Sequence, residues 1–131
     1  MSEKKFRLEK DVKHQVKKLL DKHGWFWFMP PANGFGRTGI SDFLVIRTGV
    51  FMAIETKLGK AEPSSMQRGF LSTIASHDGF AFVVNENNLD SLQAWLEAFD
   101  RSGQAVQHGG QPTPEDGSIM LNAIRELTKG Y

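Results

Sequence analysis

The chain has 131 residues, enough for one domain with a sizeable core, and it is 40% hydrophobic and 24% charged with a formal net charge of +1. No apolar run approaches the roughly 20 residues a membrane-spanning helix needs, and the charged start MSEKKFRLEK holds no apolar signal-peptide core, so no membrane is expected. The lack of cysteine excludes disulfides, thiolate zinc sites and a cysteine nucleophile, and it fits a cytoplasmic location.

Val12, Val16, Leu19 and Leu20 recur at helical spacing before Gly24, which predicts a first helix over residues 7–23. Basic charge concentrates at this end. Residues 1–22 carry eight Lys and Arg against four acids, a local charge of +4. Such a helix suits a polyanion or plain solvent. Glu9 breaks the pattern, because its spacing from Val12 and Val16 puts a carboxylate on the inward face. It can cap the helix, line its rim or reach a metal.

Trp25-Phe26-Trp27-Phe28 reads as a short strand, better suited to core packing than to base stacking, and Pro30-Pro31 end it. The loop Met29–Ile40 contains Gly34-Phe35-Gly36-Arg37-Thr38-Gly39, which fits the letters of a dinucleotide fingerprint. That fingerprint requires a helix to open there, whereas a strand follows. The loop's amides and Arg37 suit nucleic-acid phosphates better.

Two strands are predicted near 42–47 and 50–57. Pro63-Ser64-Ser65 then starts a helix with Met66, Phe70, Leu71 and Ile74 on one face, which stops at His77-Asp78-Gly79. Phe80–Val84 is a strand, and Asn87/Asn88 cap a helix carrying Leu89, Leu92, Trp95, Leu96 and Phe99. Residues 101–117 are rich in Gly, Gln and Pro and read as a flexible linker. The last helix, Ser118–Lys129, has an apolar side that can dock on the domain or on a second subunit.

Asp42, Glu55 and Lys57 stand at the ends of strands that are otherwise apolar, where a charge is costly unless it is paired or binds a metal. A two-residue turn at Thr48-Gly49 sets Arg47 opposite Val50, Phe43 opposite Ile54 and Asp42 opposite Glu55. Opposed residues hold their Cβ atoms about 4.5–5.5 Å apart. Lys57 shares the face of Glu55. Two carboxylates and an ammonium thus meet in one cluster. It is either an ion pair at a strand end or a seat for a hard divalent ion such as Mg²⁺, which takes carboxylate, water and phosphate oxygens.

The set Ser41-Asp42, twelve residues, then Glu55-Thr56-Lys57, with Glu9 before and Gln67 after, resembles the PD-(D/E)xK nuclease superfamily and within it the VRR-NUC (virus-type replication-repair nuclease) family, over about residues 7–95. Ser41 stands where the name-giving Pro often does. The resemblance implies an α/β fold with an αβββαβ restriction-endonuclease-like core, a mixed central sheet flanked by helices, and a short C-terminal helical tail. With the composition of its C-terminal part, the chain divides into a nuclease domain (1–100), a linker (101–117) and a C-terminal helix (118–131). The resemblance implies Asp42, Glu55, the Thr56 carbonyl and Glu9, directly or through water, as ligands of Mg²⁺ or Mn²⁺. Lys57 would activate water, and Gln67 would lie near the substrate phosphate or that lysine. Arg37, Lys60, Arg68, Lys13 and Lys17 would meet DNA. The implied activity is structure-selective cleavage of branched DNA such as four-way junctions by a phage or prophage homodimer. Nicking or restriction-like cleavage of duplex DNA and an inactive nucleic-acid-binding module are the alternatives.

Overall fold

The structure, a computed structural model, describes residues 6–31 and 39–131. Arg37, with most of the glycine-rich loop, lies outside the described residues. The helical spacing of the N-terminal segment is realised as α1 (Glu9–Lys22), which buries Val12, Val16 and Leu20. Leu20 and Val16 then face a sheet built from β1 (Phe26–Phe28), β2 (Phe43–Arg47), β3 (Val50–Thr56) and β4 (Phe80–Val84). Between the last two strands runs α2 (Ser65–Ser76), and α3 (Leu89–Gln107) and α4 (Pro114–Leu127) complete the chain.

The sheet has the order β1-β2-β3-β4. The first two pairings are antiparallel and the third, bridged by α2, is parallel. This is the mixed sheet with flanking helices and an αβββαβ order expected from the sequence. Helices α1, α3 and α4 cover one face around Phe43, Met52, Ile54, Phe82 and Trp95. Helix α2 covers the other, through Leu71 against Ala53, Ala81 and Val83. Both faces of β3 and β4 are therefore shielded, which explains strands without alternation.

β1 sits at the sheet edge and alternates instead. Trp25, just before it, is buried and Trp27 packs on the core, while Phe26 and Phe28 are 66% and 48% exposed. The aromatic run is thus only half core. The helix caps also divide. Ser64 caps α2, its hydroxyl accepting from the Gln67 amide at 3.2 Å. Asn88 stands at the start of α3 without capping it, since its Oδ1 accepts from Asn85 N and its Nδ2 donates to Val83 O, at 2.8 and 2.9 Å.

The flexible linker expected at 101–117 is largely helical. α3 runs on to Gln107 and α4 starts at Pro114, where Thr113 accepts from the Asp116 amide at 3.1 Å. Tertiary contact overrides composition here. Arg101 Nε donates to the buried Asp116 Oδ1 at 2.8 Å, and Ala123 and Leu127 enter the main core. The tail helix packs on its own domain, through Ala123 and Leu127.

Candidate metal centre

The site is built by a hairpin and one helix end. Thr48 and Gly49 both take left-handed backbone angles (φ 49° and 81°), the turn type that closes a two-residue hairpin without splaying its strands. The register follows from it: Arg47 pairs with Val50 and Phe43 with Ile54. The next step along the ladder brings Asp42 to Glu55. The Asp42 amide donates to Glu55 Oε1 at 3.2 Å, while Asp42 Oδ2 accepts from Thr56 N at 2.8 Å and Thr56 Oγ1 at 2.6 Å. The side chain of each acid is thus oriented by the opposite strand. Ser41, in place of the proline, is 2% exposed and donates its hydroxyl to Phe43 O at 3.0 Å, so the entry to β2 is fixed by a hydrogen bond instead of a ring.

α1 delivers the third acid. Glu9 is its first residue, and one carboxylate oxygen each from Glu9, Asp42 and Glu55 lies within 4.8 Å of the others. Three carboxylates at this spacing repel unless cations join them. Two lysines do so. Lys57 Nζ lies 3.1 Å from Glu55 Oε2. Lys13 Nζ lies 2.8 Å from Glu9 Oε1 and 3.8 Å from Asp42 Oδ2. The lysines offset two of the three negative charges.

Glu55 carries the strain of this arrangement, with 1% of its surface exposed. Burial and then the Asp42 charge push its pKa up to about 7, against the opposing pull of Lys57 and the Asp42 amide. Burial works to lower the pKa of Lys13, but its hydrogen bond to Glu9 and the charges of Asp42, Glu9 and Glu55 outweigh that and raise it. An all-oxygen donor set, incompletely neutralised and partly dry, fits a hard divalent cation.

The remaining site residues fall at different places. Gln67 completes the α2 cap, its Oε1 accepting from Ser64 N at 2.9 Å. Its neighbour Met66 presses on Gly39: a Cβ there would come within 2.7 Å of Met66 Cβ. The start of α2 therefore abuts the chain three residues before Asp42. Arg68 is half-buried and 3.7 Å from the exposed Glu62, and the Lys17 ammonium sits 5.6 Å from the Trp27 ring centroid. Lys60 lines a cleft with Glu62, Asn87 and Lys129. Sequence reasoning missed two features: the Thr56 hydroxyl as an anchor for Asp42, and Lys13 at the carboxylates. The four-residue spacing of Glu9 and Lys13 was the signal for the second.

A solved structure described as a VRR_NUC domain superposes with a TM-score of 0.56 at 24% identity, covering 64% of this chain and 91% of that one. The chain has the VRR_NUC domain fold. No family model matches the sequence, and no curated protein does. The VRR_NUC likeness is thus carried by backbone architecture, and the hairpin and α1 bring the acids together within it.

Proposed function

We propose that the chain is a member of the VRR-NUC family and a metal-dependent endodeoxyribonuclease that hydrolyses phosphodiester bonds. One observation carries this reading: the carboxylates of Glu9, Asp42 and Glu55 converge within 4.8 Å, with the Lys57 ammonium 3.1 Å from Glu55. A purely nucleic-acid-binding module gains nothing from three acids where phosphate must approach. Glu9, Asp42 and Glu55 would hold Mg²⁺ or Mn²⁺, with the Thr56 carbonyl as a further ligand. That ion would make its bound water more acidic and offset charge developing at phosphorus. Lys57 would orient the attacking water or take its proton. Gln67 would support the site from the start of α2, and Lys60, Arg68 and Arg37 would supply positive charge for the DNA backbone.

The substrate we favour is branched DNA, in phage or prophage repair or recombination, cut by a homodimer that sets one site on each of two strands. Nicking of ordinary duplex is the rival. A cleavage panel of linear, nicked, flap and four-way substrates, each with Mg²⁺, Mn²⁺ or EDTA, separates them. Cleavage of the four-way substrate is expected with either ion and not with EDTA. Glu55→Ala is expected to abolish it with the circular dichroism spectrum unchanged. Wild-type cleavage by the folded mutant would refute the assignment.

A further inference from the structure

Two lysines neutralise the acid cluster, but they are held differently. The Lys57 ammonium pairs with Glu55, two residues away on β3 and its extension. Lys13 belongs to α1 and bridges from Glu9 on its own helix to Asp42, the residue just before β2. Its grip is uneven. The 2.8 Å contact with Glu9 is a hydrogen bond, whereas the 3.8 Å approach to Asp42 is beyond hydrogen-bond length. The Asp42 oxygen it approaches already accepts two bonds from Thr56. Lys13 therefore gives Asp42 a charge without directional attachment, on a long side chain able to swing clear.

A monovalent ammonium between Glu9 and Asp42 and a divalent ion ligated by the same pair repel at close range. We infer that Lys13 is a built-in counter-ion of the acid cluster, a positioning residue that holds Glu9 and Asp42 together without metal and is displaced when a divalent cation binds. The inference rests on the reading of the cluster as a metal centre. It gives the chain a stable metal-free state at the expense of metal affinity. The raised pKa of Lys13 agrees, since the acids together favour its charged form despite burial.

The test is calorimetric titration of Mn²⁺ into wild type, Lys13→Met and Lys18→Met, the last an exposed lysine on the same helix. Lys13→Met is expected to bind Mn²⁺ about tenfold more tightly than wild type, and Lys18→Met to match wild type. Lys13→Arg, which keeps the charge, is expected to bind no more tightly than wild type. The melting temperature of Lys13→Met should also rise more on adding Mn²⁺ than that of wild type. Unchanged or weaker affinity in folded Lys13→Met overturns the inference; if wild type still cuts DNA, the nuclease reading survives. If neither binds Mn²⁺, both fall. Should Lys13→Met not fold, wild type carries the test after ¹³C reductive methylation. The Lys13 signal is expected to shift on saturation with Mg²⁺, and an unmoved signal overturns the inference.

Discussion

At the scale of single residues, Glu55 ties stability to chemistry. Its pKa is raised from 4.5 to about 7, mainly by burial and then by Asp42. A carboxyl that holds its proton more firmly when folded stabilises the fold at low pH. That contribution is full below the unfolded value and is lost as pH rises toward 7. The cost at pH 8 is on the order of 3 kcal/mol in the metal-free protein. Glu55→Gln removes it, because the amide keeps the shape without the charge. We expect Glu55→Gln to be more stable than metal-free wild type in urea at pH 8, and no more stable at pH 4.5. Equal midpoints at pH 8 would contradict a strained carboxylate. The metal has the opposite preference, since it binds the ionised form. Mn²⁺ binding should therefore release a proton near pH 6 and almost none near pH 9, which calorimetry in buffers of different ionisation enthalpy reads directly.

At the scale of elements, two glycines with the same backbone angle separate conformation from packing. Gly39 and Gly49 both have φ of 81°, but an added Cβ meets nothing within 4 Å at Gly49 and three Met66 atoms within 2.7–2.9 Å at Gly39. Gly49→Ala should cost about 1–2 kcal/mol, the left-handed penalty alone. Gly39→Ala adds overpacking of about 1–3 kcal/mol and should also weaken metal binding, because it pushes α2 from the strand that carries Asp42. Equal costs in denaturant melts would mean that α2 does not press there. The same elements show what the sequence made legible. The hairpin was readable because Thr48-Gly49 is local and sets register by itself, so Asp42, Glu55 and Lys57 could be placed together from short-range rules. Lys13 was not, because its target depends on how α1 lies across the sheet. The extent of α3 was hidden for a related reason. Gly103 and the glutamines argue for a linker, and only packing against α4, with Arg101 paired to Asp116, makes that stretch helical.

At the scale of the whole molecule, the basic N-terminal end is divided by the fold into committed and available charge. Lys13 is held at the carboxylates and Lys17 lies over Trp27, so neither ammonium points freely outward. Lys10, Lys18 and Lys22 are exposed, and their spacing confines them to about 120° of the helix surface. One side of α1 therefore offers a stripe of positive charge to a polyanion, while its first turn supplies Glu9 to the acid cluster. If DNA lies along that stripe, each phosphate contact releases counter-ions, and the logarithm of affinity falls with that of salt by about 0.9 per contact. Replacing Lys10, Lys18 and Lys22 together by alanine is expected to lower that slope by about 2–3 for a duplex. Cleavage at saturating DNA should stay near wild type, because none of the three belongs to the acid cluster. The measurement is binding in Ca²⁺ across a salt series. An unchanged slope would show that α1 faces water in the complex, and that DNA reaches the carboxylates from the side of Lys60 and Arg68 instead.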